Sequence, residues 1–254
     1  MKTIAIHSFK GGTGKSLIAT NLAVLYALRG EPTCLVDMDF RAPTLHVAFN
    51  PRGVDRWFND YLDGECEPEE VLVDVAPQLG LKARLAVAFA NPSPEAIREM
   101  MAKPTSWERK ALDRLLDFTR RMRELKFSYC ILDTSPGYLY SSINALVAAD
   151  VAVIVSTVDD SDIEGTRQMI KELYELLERR TFIVVNKAVG AVDEGSSMRV
   201  AELVGSRIGR GVACVIPCSC DIAERPRRSI FALEKADHVF IKRLEGLSHM
   251  LAEG

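Results

Sequence analysis

Short apolar runs alternate with longer amphipathic stretches along this chain. Thr3-Ile4-Ala5-Ile6 has the length and composition of a buried strand. Leu17 to Leu28 reads as a helix that Gly30 is placed to stop. Pro32 to Val36 repeats the strand pattern and ends in Asp37-Met38-Asp39. Phe127 to Leu132 repeats it again and ends in Asp133. Val151 to Thr157, Thr181 to Val185 and Ala213 to Pro217 complete the strands of the second half. Helical stretches over 142–149, 162–178 and 229–252 separate them.

Residues 50–125 are patterned less regularly. Val54 to Leu62 predicts a short helix stopped by Gly64, and Pro68 to Leu72 opens another. Leu81 to Phe89 predicts a strand closed by Pro92 and Pro94. Thr105-Ser106-Trp107-Glu108 has capping-box spacing ahead of a long helix to about Leu125. Strands and helices alternating in this way predict an α/β fold: a doubly wound, mostly parallel sheet flanked by helices, in one domain over 1–254.

The 254 residues, 48% of them hydrophobic, suffice for a full core. A net charge of −3 excludes a strongly basic nucleic-acid binder. Any DNA contact would rest on a local patch, and Arg225, Arg227 and Arg228 form the densest one. Met1-Lys2-Thr3 leads directly into the first strand, no apolar run reaches the ~18 residues of a membrane span, and the six cysteines fit reduced thiols. The expected location is cytoplasmic. Val239, Phe240, Leu244, Leu247 and Leu251 form a stripe expected to pack on the sheet. Few basic residues follow it, which argues against a membrane anchor.

The strongest chemical signal is Lys10-Gly11-Gly12-Thr13-Gly14-Lys15-Ser16, set between the first strand and the first helix. Glycines there let backbone N–H groups turn toward phosphate oxygens, and the helix N-terminus adds to the field. Lys15 would reach the β- and γ-phosphates, and the Ser16 hydroxyl would bind Mg²⁺. Asp133, at the end of an apolar strand, is placed to hold the Mg²⁺ shell. Asp37 and Asp39 would face the ligand crevice from the second strand.

Lys10 to Ser16 resembles the deviant Walker A motif of the MinD/ParA family, Lys-Gly-Gly-x-Gly-Lys-Ser/Thr, in which the residue before the first lysine varies. Phe9 occupies that place. Asp37 to Leu45 resembles the switch I segment of the MinD-like branch, although Arg41-Ala42-Pro43 departs from the Pro-Gln or Gly-Leu-Arg of many relatives. Asp133-Thr134-Ser135-Pro136-Gly137 resembles switch II. The resemblance implies ATP and Mg²⁺ as cofactors, with Gly11, Gly12, Thr13, Gly14, Lys15, Ser16 and Leu17 around the phosphates. It implies that Ser16, Asp39 and Asp133 serve the metal and its water, with Asp39 positioning the attacking water. Gly137 would sense the γ-phosphate. Asn186 would read the purine edge, and the loop of Pro217 and Cys218 would cover the base. Lys10 would cross to the ATP of a second copy. The implied activity is slow ATP hydrolysis in an ATP-dependent sandwich homodimer. It would act as a timer for positioning or partitioning, with a further protein as partner or activator. Two alternatives stand beside it. Cys218-Ser219-Cys220 could make the chain a metal-delivery or cofactor-assembly ATPase, or the chain could be a nucleotide-gated interaction protein with negligible turnover.

Overall fold

The computed structural model describes residues 1–224 and 230–253. The first half contains β1 (Lys2–His7), α1 (Lys15–Leu28), β2 (Thr33–Met38), α2 (Leu45–Phe49), α3 (Phe58–Asp63), β3 (Leu72–Asp74), α4 (Ala76–Leu79), β4 (Leu85–Ala88), α5 (Pro94–Ala102) and α6 (Thr105–Glu124). The second half contains β5 (Tyr129–Thr134), α7 (Tyr140–Ala148), β6 (Val151–Ser156) and α8 (Asp160–Met169). A π-helical turn (Ile170–Tyr174) follows, then α9 (Glu175–Leu177), β7 (Arg180–Ala188), α10 (Glu194–Ile208), β8 (Val212–Pro217), α11 (Cys220–Glu224), α12 (Phe231–Glu234) and α13 (Val239–Glu253).

The eight strands form one sheet in the order β3-β4-β2-β5-β1-β6-β7-β8, parallel except for β3. The doubly wound reading therefore holds, with one antiparallel edge strand that the sequence did not announce. Successive side chains of each strand point to opposite faces. Ile4, Ile6, Leu35, Ile131 and Val153 pack on the α1 and α13 side. Ala5, Cys34, Val36, Leu132 and Ile154 pack on the side of α6, α8 and α10. The same alternation aims Asp37 and Asp133 toward α1 and His7 toward the π-helical turn. In register, Asp37 pairs with Asp133, and Asp133 with Ile6.

Four local expectations are corrected. Residues 68–71 form a turn leading into β3, not a helix. Thr105 opens no capping box, because the helix begins at Thr105 itself behind Pro104. Val54 to Trp57 stays outside α3, which Gly64 does terminate in a left-handed conformation. The expected helix over 229–252 is two helices. Between them Lys235 bonds Asp221 at 2.8 Å, and His238 Nδ1 accepts the Phe240 N–H at 3.1 Å.

α13 lays Phe240, Ile241, Leu244, Leu247 and Leu251 into the core, each at most 1% exposed. The Lys2 ammonium donates to the Leu251 and Ala252 carbonyls at 2.8 and 2.9 Å, which satisfies groups at the helix C-terminus. Among the described residues no helix is long and apolar enough to cross a membrane.

Candidate functional site

A cleft of about 800 Å³ opens at the carboxyl edge of the sheet, over the N-terminus of α1. Gly11, Gly12, Gly14, Lys15, Ser16 and Leu17 line it on one side, and Asp39, Arg41, Ala42, Thr44, Leu45 and Ala48 on another. Pro136, Tyr138 and Leu139 form a third wall, and Lys187, Ile222 and Phe231 close the far end. Strand order sets this position. β2 and β5 leave β1 on one side and β6 on the other, and a doubly wound sheet opens its crevice at such a reversal. A second cleft of about 780 Å³ lies away from the P-loop, between residues 67–69 and α6. Of the α6 arginines that face it, Arg120 pairs with Asp117, Arg121 pairs with Glu69 and Glu124, and Arg114 donates to the Tyr61 carbonyl. They form a solvated, balanced surface.

The P-loop backbone is held from beneath. Asn186 donates to the Thr13 carbonyl at 2.8 Å, and the Lys187 ammonium donates to the Gly12 carbonyl at 2.6 Å. Gly14 has φ +100°, and a Cβ there would lie 2.4 Å from the Asn186 amide nitrogen, so only glycine fits. Lys15 is buried and donates to the Ser8 hydroxyl at 3.0 Å. Burial lowers its pKa, while the carboxylates of Asp133, Asp39 and Asp162 pull the other way.

Asp133 is fully buried, and neither of its carboxylate oxygens has a hydrogen-bond partner. Burial pushes it up to about 7, against the pull of Lys15 and of the Ser16 hydroxyl, which lies close by but short of hydrogen-bond geometry, while Asp39 raises it further. An unpartnered buried carboxylate beside a serine hydroxyl, both oxygen donors, has the composition of a Mg²⁺ site. Asp37 lies alongside and is also raised, by burial first and by Asp133 second. It accepts the Asp39 N–H at 3.1 Å and the Thr44 and Leu45 N–H groups at 3.3 Å each. Asp37 thus shapes the 39–45 loop from below, while Asp39 faces the cleft and accepts the Ser135 hydroxyl at 2.7 Å.

Several expected residues sit elsewhere. Gly137 does not line the cleft. Its N–H donates to the Ser8 carbonyl at 2.9 Å and its carbonyl meets His7 Nε2 at 2.8 Å. Asn186 lies under the P-loop. Pro217 and Cys218 are off the cleft wall, and the Cys218 N–H bonds the Ala188 carbonyl. Ile222 and Phe231 supply the apolar wall in their place. The sequence signal for that wall was an apolar residue just past the 217–221 loop. Lys10 points away from the cleft, 2.7 Å from Asp159 and in contact with the Ser161 hydroxyl. Cys218 and Cys220 are exposed free thiols, and among the described residues no three metal-binding side chains come together. Arg225, Arg227 and Arg228 lie outside the described residues.

Phe9 fills the place where a general P-loop has its first glycine. Its ring lies against Gly165 of α8, where a Cβ would come within 2.0 Å of Phe9 Cε1. Gly165→Ala is expected to lower stability by about 1–3 kcal/mol through overpacking, despite the better helix propensity of alanine. Denaturant titration of Gly165→Ala, Phe9→Ala and the double variant checks this. If Gly165→Ala costs the same with and without the ring, the contact is not the cause.

A family model described as an AAA domain matches residues 1–186. The septum site-determining protein MinD of Thermotoga maritima is 24% identical over 224 residues, 86% of this chain and 76% of the relative. A ParA family protein of Chlamydia pneumoniae is 27% identical over 198 residues, 74% of this chain and 71% of the relative. Among solved structures, MinD of Pyrococcus horikoshii, complexed with Mg-ADP, superposes with a TM-score of 0.77 at 17% identity. That match covers 98% of this chain and 95% of the other.

Proposed function

This chain belongs to the AAA-domain family and within it to the MinD/ParA-type P-loop ATPases, and from that premise we propose that it is a positioning or partitioning switch. In this reading it binds Mg-ATP, dimerises face to face on ATP and hydrolyses it slowly. The observation that carries the reading is the buried, unpartnered Asp133 beside Ser16, which lines the cleft. Mg²⁺, when bound there, would draw charge from the phosphates. Ser16 and Asp133 would hold it. Lys15 would exchange the Ser8 hydroxyl for phosphate oxygens, with the turned backbone of residues 11–14 adding N–H donors. Asp39, at the cleft wall and already oriented by Ser135, would position the attacking water. Gly137 would report the γ-phosphate once its N–H left the Ser8 carbonyl. Asn186 and the segment 217–221 would serve the purine end together with Ile222 and Phe231.

Lys10 carries the proposed link between copies. Lys15 already stands at the cleft, so the second lysine needs another target. Its ion pair with Asp159 is solvent-exposed and therefore contributes little. A contact with a triphosphate across an interface would be worth roughly 1.5–3 kcal/mol. Two symmetric exchanges would shift dimerisation by two decades or more. Asp39→Ala is expected to bind ATP, stop turning over and accumulate as a dimer by light scattering. Adding Lys10→Ala is expected to leave ATP binding intact and return the protein to monomer. A double variant that dimerises as strongly as Asp39→Ala alone would remove Lys10 from the interface. Lys15→Ala, with nucleotide binding lost, is the control for the cleft itself. The cargo or activator is a protein partner to be found by co-purification in the ATP-trapped state.

A further inference from the structure

The end of β1 docks onto one helical segment at three places. Lys10 pairs with Asp159 at the start of α8, Phe9 lies on Gly165, and His7 meets Tyr174 in the π-helical turn. The third contact also involves the segment that follows β5. His7 is fully buried, with Nδ1 2.6 Å from the Tyr174 hydroxyl and Nε2 2.8 Å from the Gly137 carbonyl. A carbonyl can only accept, so Nε2 carries the proton and donates it to Gly137. Nδ1 is then bare and accepts from the Tyr174 hydroxyl. Burial holds the ring neutral, down to about pH 4, with the Gly137 carbonyl opposing that shift and Lys15 adding to it.

The two polar groups of Gly137 belong to different peptide units. Its N–H, bonded to Ser8, lies in the Pro136–Gly137 unit. Its carbonyl, bonded to His7, lies in the next. Gly137 has φ +76°, a conformation glycine adopts without strain, so the first unit can swing while the second stays fixed. The same π-helical turn reaches the following residue as well. Glu172 stands beside the Tyr138 hydroxyl, which partial burial and that carboxylate push up to about 12. π-helical turns are rare and concentrate at functional positions.

We infer that His7 is a positioning residue that anchors the Gly137 carbonyl as the fixed side of a hinge, with Tyr174 selecting the tautomer that does so. The inference rests on the reading of Gly137 as the γ-phosphate reporter. On it, the anchored carbonyl gives the swinging N–H a defined end point, and that end point separates ATP from ADP.

The test uses the amide analogues of the two ring nitrogens. In His7→Gln the amide nitrogen falls near the Nε2 position and can still donate to Gly137. In His7→Asn it falls near Nδ1 and cannot. Displacement of a fluorescent nucleotide in Mg²⁺ gives the ratio of ATP to ADP affinity. His7→Gln is expected to keep that ratio within about threefold of wild type, and His7→Asn to lose about tenfold, the worth of one buried hydrogen bond. Tyr174→Phe, which removes a single oxygen, keeps the test open if His7→Asn fails to fold, with an expected loss of about fivefold. Histidine ¹⁵N spectra of the nucleotide-free protein are expected to show His7 protonated at Nε2 and bare at Nδ1 at pH 7, assigned by its absence in His7→Gln. Spectra showing Nδ1–H or an imidazolium overturn the inference, as does an unchanged ratio in a folded His7→Asn. Wild-type protein with no preference for ATP overturns the Gly137 reading and the inference together. A wild-type preference that survives in His7→Asn overturns the inference alone.

Discussion

Asp133→Asn is expected to make the nucleotide-free protein more stable while lowering turnover by at least a hundredfold. Folding buries this carboxylate without a hydrogen-bond partner, beside the equally buried Asp37. Its pKa near 7 lies above the unfolded value of about 3.9. A group raised in this way contributes stability below its unfolded pKa and loses it as pH rises through the folded one. At neutral pH and above, the buried charge is therefore a cost, and asparagine removes it for a gain of about 1–3 kcal/mol after its own unpaired amide is counted. For a chain of this length that corresponds to a rise of several degrees in melting temperature. The difference from wild type should be largest near pH 8 and shrink toward pH 5. The same charge is what Mg²⁺ needs, so the wild type should gain melting temperature with Mg-ATP over ATP in EDTA and the variant should not. A variant no more stable than wild type at pH 8 would mean that Asp133 has a partner in solution. A variant that still responds to Mg²⁺ would move the metal elsewhere.

Removing residues 240–254 is expected to unfold the protein outright. The five buried side chains of α13 are each worth about 1.5–3 kcal/mol on burial. Their sum is comparable to the whole stability of an ordinary domain, about 5–15 kcal/mol. Circular dichroism of the truncated chain should show no cooperative melt. A truncated protein that melts like the full chain, while the full chain floats with anionic liposomes, would make α13 a membrane anchor.

The parts of the fold that were legible in the sequence owe it to local physics. Parallel strands buried on both faces read as unbroken apolar runs, and all of those that carry the site were visible as such. The phosphate loop was visible because glycines and lysines at fixed spacing serve one purpose. β3 was not visible, since three residues at a sheet edge show no period. The break at 235–238 was hidden because Asp221, distant in sequence, captures both Lys235 and His238. Thr20, Ile222 and Phe231 carry no motif, and they line the cleft only through the way α1 and the segment after β8 pack. Nothing local in the sequence marks His7. Its partners, Tyr174 and the Gly137 carbonyl, lie 167 and 130 residues away.

The contact between Phe9 and Gly165 sets a constraint on how this sequence can drift. The two positions are 156 residues apart, yet one ring occupies the space where the other would place its first carbon. Enlarging position 165 is tolerable only after position 9 has been reduced, and the order of the two changes matters because the reverse passes through a clash. A descendant or relative with alanine or a larger residue at 165 should therefore carry a side chain smaller than phenylalanine at 9. The paired change would leave the glycines and lysines of the loop untouched, so substitutions at 9 that look arbitrary beside the motif become predictable from a helix far along the chain.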